Sequence, residues 1–593
     1  MTRTKSANKR EGTADARQAS KDSPPAAKGR ATRETVESIA VAVILAFLFR
    51  AFVAEAFVIP TGSMAPTLQG RHLDVACSKC GYRYRTGASV ENEGRGRIYA
   101  TTCPICQYTM ELRPELDPDQ QSFNGDRILV SKFSYEFQDP QRWEVIVFKY
   151  PGNAKLNYIK RLVGLPNETL AIRCGDVYCR KHGDGPNAKE HIARKPPRKL
   201  VAMLQLVDDT DYRAPELTKI GWPERWQDWR TPEAPAWRRR EGKPGYETAG
   251  SAGQEAWLRY RHVIPWSYDW ADIRQGHVPE RLRIGQVRGQ LITDYYAYND
   301  GMTFKLDPRD PIPMRTGQHW VGDLAVECDV QIQGAAGELL LELVEGGVHY
   351  QCRIDVATGV ALLQIDQGRE QFVDESGTTT VRRTAQTPVR GPGSYQLRFS
   401  NCDDQLLLWV NNGLALFDGP TTYVPAQPVK PRWSPADPGD LEPAGIGAKG
   451  VGLIVPRLRV YRDVYYIATS AATGADCDYE RQYGVHEVLE VFCHPEQWAT
   501  TTLFDDRRMN VQFPLGDGQF FPMGDNSPQS KEARVWSKLE HIWPRADWPP
   551  PESPPPYVTR DLLTGKALFI YWPHSWNRPV PFTPNIRRMG LIR

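Results

Sequence analysis

An unbroken apolar run, Ile39 to Phe49, follows a stretch dominated by charged and small polar residues. Such a run must be covered, by lipid or by a protein core. Its uninterrupted part is 11 residues, short of the roughly 18 that define a membrane span unaided. Continued through Arg50 and Glu55 to Pro60 it reaches about 20 residues, enough for a bilayer if both charges sit near one interface. A cleaved export signal shares the basic start and short apolar region but needs a small-residue cleavage site, and a buried core helix is the third option. The run is read here as a single transmembrane anchor over 35–58. A disordered basic tail, 1–34, then stays in the cytoplasm and the rest of the chain lies outside.

The remaining composition narrows the class. A chain of 593 residues is too long for one core and implies roughly three to four domains. A net charge of +3 argues against a dedicated nucleic-acid binder. No further run is long and apolar enough for a polytopic protein. Seventeen Trp and 25 Tyr, beside 48 Gly and 48 Pro, point to β-rich domains with many turns. Eleven Cys at this length do not make a disulfide scaffold.

Three segments carry residues with chemistry. Directly after the apolar run, Pro60-Thr61-Gly62-Ser63-Met64-Ala65-Pro66 sets a serine in a stiff segment bracketed by prolines. Taken alone it is an ordinary loop serine. Some ninety residues on, Trp143–Pro151 and Tyr158–Pro166 read as strands, with Tyr158 and Lys160 on one face and Ile159 and Arg161 on the other. A lysine buried in such a strand loses pKa and becomes a neutral amine able to act as a base, which a serine hydroxyl needs to become a nucleophile. The alternative is an edge-strand lysine reaching to water. Near the carboxyl end, Phe520–Trp536 contains Gly524-Asp525-Asn526, a tight turn after a strand.

Together these segments resemble bacterial signal peptidase I, a membrane-bound Ser–Lys serine protease family, over about 35–180 and 485–593. The resemblance implies a mainly β protein: a signal-peptidase-type β-fold catalytic core behind one N-terminal transmembrane helix. It implies that Ser63 is the nucleophile, Lys160 the general base and the Ser63 N–H half of the oxyanion hole, with the Thr61 hydroxyl as the second donor. Ser530 matches a serine that hydrogen-bonds the lysine. Glu532 and Arg534 match a structural Asp/Arg pair, and Gly524, Asp525 and Asn526 match the turn that shapes the pocket. The carboxyl motif departs from the family's GDNRDNSxDSR: Ser527, Pro528 and Gln529 stand for Arg, Asp and Asn, Glu532 for Asp and Ala533 for Ser. The departures bear on the local salt bridges. The implied partners are membrane lipid and the signal peptides of exported preproteins, cleaved after small residues. No cofactor is implied for catalysis. The implied location is the cytoplasmic membrane, crossed once.

Two insertions interrupt this frame. The first, about 74–110, carries Cys77-x-x-Cys80 and Cys103-x-x-Cys106, which suit a tetrahedral four-cysteine zinc site and resemble a zinc ribbon. Two disulfides are the alternative in an extracytoplasmic segment. The second insertion splits the peptidase. Its part over 181–317 is rich in Trp, Arg and Pro (Trp222, Trp226, Trp229, Trp237) and reads as a loop-rich cap of unassigned fold. Over 318–465 short alternating strands between Gly/Asn/Asp turns predict a β-sandwich. It resembles laminin-G or concanavalin-type modules through Leu406–Gly413, with a glycan or protein ligand as its possible partner. The second peptidase part then runs over 466–593. Pro-rich stretches at 424–443 and 546–556 read as linkers. Cys174 and Cys179 flank a Gly-Asp hairpin signal and are expected to form a disulfide. Cys328, Cys352, Cys402, Cys477 and Cys493 show no ligand spacing and are expected to be buried thiols.

The competing readings are a processing protease with narrow substrates, an anchored glycan- or protein-binding scaffold on an inactive peptidase frame, and a self-cleaving Ser–Lys repressor. The presence of both Ser63 and Lys160 argues against the scaffold. The apolar run and the lack of a DNA-binding motif argue against the repressor.

Overall fold

The computed structural model describes residues 26–48, 54–184, 189–228, 235–251, 253–307, 315–374, 376–425, 429–470, 477–479, 483–504, 510–536, 554–576, 580 and 582–593. The first described element is a helix, Ala26–Leu48. It starts inside the segment expected to be a disordered tail, of which residues 1–25 lie outside the described residues. Lys28, Arg30, Arg33, Glu34 and Glu37 occupy its first half, which leaves Ile39–Leu48 as the apolar part. Ten residues at 1.5 Å each span about 15 Å, half a bilayer core. No helix among the described residues is long and apolar enough to cross a membrane. The expected anchor, 35–58, is also broken in conformation, because Ala54–Val58 is a strand. Arg50 lies outside the described residues.

The body from Ala56 onward is almost entirely β, as expected. One sheet, which carries Lys160, is antiparallel in the order Arg127–Ser131, Leu563–Trp572, Val145–Tyr150, Asn153–Gly164, Gln519–Met523, Val558–Thr559. A four-stranded sheet, His191–Ile192, Asp176–Lys181, Glu168–Arg173 and Val511–Pro514, continues from it. Both sheets draw strands from the two ends of the chain. Gln519–Met523 pairs with Asn153–Gly164, with Met523 opposite Arg161 and Pro522 opposite Leu162. One apolar core beneath them contains Trp143, Phe148, Leu162, Phe513, Phe521 and Trp536. A second contains Ile59, Met64, Leu68, Val130, Val145 and Ile570.

The sandwich is larger than expected. One sheet holds Trp237–Arg239, Tyr246–Thr248, Leu453–Arg462, Leu324–Ile332, Gly393–Cys402, Gln405–Val410 and Gly413–Leu414, with Gln205–Asp209 paired to Leu453–Arg462. The facing sheet runs Trp226–Asp228, Ala256–Tyr260, Ala444–Lys449, Glu338–Glu345, Val348–Asp355, Val360–Ile365, Arg383–Gln386. Strands from 205–260 therefore belong to both sheets, and 181–317 is not simply a cap. Trp226, Trp237, Tyr246 and Tyr260 sit in the sandwich core itself; Trp229 lies outside the described residues. The Asn411-Asn412 turn, with both residues at positive φ, closes the hairpin from Gln405–Val410 to Gly413–Leu414. Of the Pro-rich linkers, 426–428 and 546–553 lie outside the described residues.

The expected Cys174–Cys179 disulfide is not present; both thiols are free. The hairpin is there, but its register puts Arg173 opposite Asp176 and Cys179 opposite Leu170. Cys174 is at the turn, and Cys179 lies three residues up the returning strand from Asp176, about 10 Å along it, beyond disulfide reach. The Cys179 sulfur instead lies 3.2 Å from His191 Nε2. The five cysteines expected as buried thiols are buried and free.

Candidate active site

Ser63 sits in a single 3₁₀ turn, Gly62–Met64, whose neighbours pin it to the sheet. Met64 and Leu68 plug into the apolar core on one side. Within the turn the Ala65 N–H donates to Gly62 O (3.0 Å) and the Leu68 N–H to Met64 O (2.9 Å). Lys160 lies in mid-strand opposite Ile146 and points at this turn. Its Nζ is 2.8 Å from Ser63 Oγ and 3.1 Å from Ile159 O. Ser63 is 7% exposed and Lys160 4%. Burial holds the Lys160 amine down to about 8, against the opposing pull of Glu532 and Asp525. Near neutral pH a usable fraction of that amine is unprotonated, and a neutral amine in hydrogen-bond reach of a hydroxyl can accept its proton.

The carboxyl-terminal turn reaches the serine because its strand is the lysine strand's neighbour. The Asn526 N–H donates to Ser63 O (3.1 Å) and its Nδ2 to Gly62 O (3.1 Å). Asp525 forms a bidentate pair with Arg161, both contacts at 2.6 Å, and accepts from Thr67 Oγ1 at 2.5 Å. Arg161 also donates to Trp143 O at 2.8 Å, Thr67 Oγ1 at 3.1 Å and Arg593 O at 3.3 Å, so this buried cation has partners on four segments. Gly524 must be glycine: a Cβ there would lie 2.2 Å from Ser530 Oγ and 2.4 Å from Ser63 O. The Gly524 N–H donates to Glu532 Oε2 at 2.6 Å, and the other Glu532 oxygen pairs with Arg534. Arg534 is held further by Thr469 Oγ1 (2.7 Å) and Ser527 Oγ (2.9 Å).

One expected contact differs. The Ser530 hydroxyl is buried and makes no hydrogen bond among the described residues; it packs beside Gly524 rather than bonding Lys160. The short Ser-Pro-Gln 3₁₀ turn, Ser527–Gln529, precedes it where the family motif has Arg-Asp-Asn. Thr61 is exposed, with extended backbone, immediately before the serine turn. Four further groups at the site have no role in the sequence reading. Arg161 and Thr67 lie inside the lysine and serine segments, and alternation turns Arg161 away from Lys160, but neither residue is assigned a function there. Tyr298 and Asn299 come from the second insertion, and nothing in sequence links them to the serine.

The four paired cysteines come together. Two hairpins, His72–Ala76 with Arg83–Gly87 and Ala100–Thr102 with Thr109–Glu111, each carry a knuckle. The chain reverses through Gly81 (φ 77°) in one and Gln107 (φ 57°) in the other. All four sulfurs lie within 4.8 Å of one another, with Cys77–Cys106 at 3.5 Å and Cys80–Cys103 at 3.6 Å. A disulfide needs about 2.05 Å. Four thiolates at 2.3 Å around a tetrahedral ion lie about 3.8 Å apart, so the spacing is that of a ligand set.

Residues 32–92 and 112–214 match the family model described as "Signal peptidase, peptidase S26". Signal peptidase I of Pseudomonas fluorescens is 44% identical over 71 residues, 10% of this chain and 23% of that protein. Probable signal peptidase I-2 of Synechocystis sp. is 26% identical over 194 residues, 32% of this chain and 61% of that protein. The chain thus spans less than two thirds of the length of either relative. The carbohydrate binding module CBM66 of Bacillus subtilis aligns at 9% identity over 40% of this chain and 93% of its own, with a TM-score of 0.20, too slight a likeness to bear on the sandwich. The two matched stretches, which hold both Ser63 and Lys160, are what this chain shares with the signal peptidase family, peptidase S26.

Proposed function

We propose that this protein is a signal peptidase I-type serine endopeptidase acting on the signal peptides of exported preproteins. The observation that carries the reading is the 2.8 Å approach of a buried Lys160 amine, held down to about 8, to the Ser63 hydroxyl. In the proposed reaction neutral Lys160 accepts the Ser63 proton as Oγ attacks the scissile carbonyl. The Ser63 N–H receives the developing oxyanion, with Thr61 the candidate second donor. The ammonium then protonates the leaving amine, and the same amine activates the water that releases the acyl group. Asp525, Asn526, Glu532 and Arg534 hold the turn and touch no reacting atom in this scheme. Ser530 shapes the pocket by packing on Gly524.

Cys77, Cys80, Cys103 and Cys106 are proposed to bind one structural zinc, which would cross-link the two hairpins through a closed thiolate shell. Membrane attachment is proposed through the apolar run beginning at Ile39; Val36, Ile39, Val41, Val43 and Ile44 are exposed on the described helix. A narrow substrate range is the second reading. It is favoured by one observation, the packing of Tyr298 from the insertion against the serine turn.

The test is cleavage of preproteins bearing an Ala-x-Ala site by detergent-solubilised protein, beside Ser63→Ala and Lys160→Ala. Cleavage by the unmodified protein alone is expected. Cleavage that survives either substitution, or none from a well-folded unmodified protein across several preproteins, refutes the reading.

A further inference from the structure

The segment Tyr295–Met302 belongs to the second insertion, yet it runs between the cysteine hairpins and the serine turn. The Met302 N–H donates to Ala100 O (2.9 Å) and the Tyr99 N–H to Met302 O (2.8 Å), which ties it to the second hairpin. At its centre, Asn299 and Asn526 form a closed amide pair: each Nδ2 donates to the other's Oδ1 at 2.7 Å. Tyr298, beside it, is buried against Gly62, where an added Cβ would lie 2.1 Å from its ring.

Asn526 is the residue whose Nδ2 also donates to Gly62 O. The Gly62–Ser63 peptide is planar, so whatever fixes the direction of Gly62 O fixes the opposed Ser63 N–H. That N–H is the oxyanion donor of the reaction proposed above. An amide side chain has two nearly isosteric orientations, and only one presents Nδ2 to Gly62 O. Gly62 O, an acceptor only, selects that orientation, and Asn299, donating to Oδ1 and accepting from Nδ2, holds the amide in it.

We propose that Asn299, from the insertion, is a positioning residue: it locks the Asn526 amide, and through it aims the Ser63 N–H at the developing oxyanion. The proposal rests on the Ser–Lys reading. The insertion would therefore be part of the catalytic support and not only a decoration.

An oxyanion acts in the transition state, so a mis-aimed donor lowers kcat and spares substrate binding. Asn299→Ala is expected to lower kcat about tenfold, less than the roughly 10²–10³ for outright loss of a donor, with KM within about twofold. In an Asn526→Ala background the same change should add nothing, because both act on one path. Backbone amide exchange of the peptide 60–68 provides a readout that needs no turnover. Faster exchange there in Asn299→Ala, with the sandwich strands unchanged, supports the lock even if the unmodified protein cleaves nothing and the Ser–Lys reading fails. Unchanged exchange with unchanged kcat overturns the proposal, as does a kcat loss that is equal in both backgrounds or a change in KM alone.

Discussion

Replacing Lys160 by Met should make the protein inactive and, at neutral pH, more stable. The buried amine sits at about 8 instead of its ordinary 10.5, with burial as the cause. At about 1.36 kcal/mol per pH unit, that drop corresponds to a charged-form penalty of about 3 kcal/mol in the folded state. The sign follows from proton binding. Below pH 8 folded and unfolded chains both carry the proton, and the folded state bears the full penalty. Between pH 8 and 10.5 the unfolded chain holds the proton and the folded one does not, so wild-type stability climbs with pH. Above that window the penalty is gone. Met is nearly isosteric and never charged, so Lys160→Met lacks the climb. It should gain up to about 3 kcal/mol over wild type at pH 7, and that advantage should vanish by about pH 11. A chain with several cores does not unfold in one step, so the measurement is exchange protection of the strand Asn153–Gly164 in both proteins across this pH range. Wild-type kcat/KM should rise through the same pH 8. An advantage that is absent at pH 7, or equally large at pH 11, would show that burial does not lower the amine's proton affinity, and the general-base argument would fall with it.

Removing one partner of the Arg161–Asp525 pair should be far more damaging than removing both. Asp525→Ala leaves a fully buried guanidinium without its carboxylate and should cost about 3–5 kcal/mol; exchange protection of the strands Asn153–Gly164 and Gln519–Met523 in the single variants and in the Arg161→Met/Asp525→Leu double variant measures the difference. One zinc per chain is expected by elemental analysis, falling to none in a Cys77→Ser/Cys103→Ser variant. Stripping the metal should speed amide exchange first in His72–Gly87 and Ala100–Glu111, and a metal-free chain with unaltered exchange there would refute the site.

What the sequence made legible was local. The serine turn, the lysine strand and the cysteine pairs each declare themselves within about a dozen residues, because turn chemistry, alternation and ligand spacing are short-range. The Asn411-Asn412 hairpin is legible for the same reason. The partner of Arg161 was not, since Asp525 lies 364 residues away and only strand pairing brings them together. Asn299 sits in a stretch with no periodicity, so nothing marks its reach to Asn526. The strands between 205 and 260 are three to five residues long, too short for alternation to show, so their tryptophans read as part of a loop-rich cap until two sheets close around them. The helix was misplaced at both ends. Its first half is charged, so apolar content does not mark it, and good helix formers such as Ala, Arg and Glu extend it backwards to Ala26.

The sheet that carries Lys160 is sewn from segments more than 350 residues apart, and that sets an order in time. At roughly 5–20 residues per second, the 364 residues separating Arg161 from Asp525 take on the order of 20–70 s to synthesise. Through that interval the lysine strand has no Gln519–Met523 beside it, and the serine turn has no Asn526 to hold its carbonyls. The sandwich, with its own core and adjacent hairpins, needs none of this and can close first. A nascent chain therefore carries its serine and lysine through that whole interval without the turn that holds them, and that turn is made only after the sandwich.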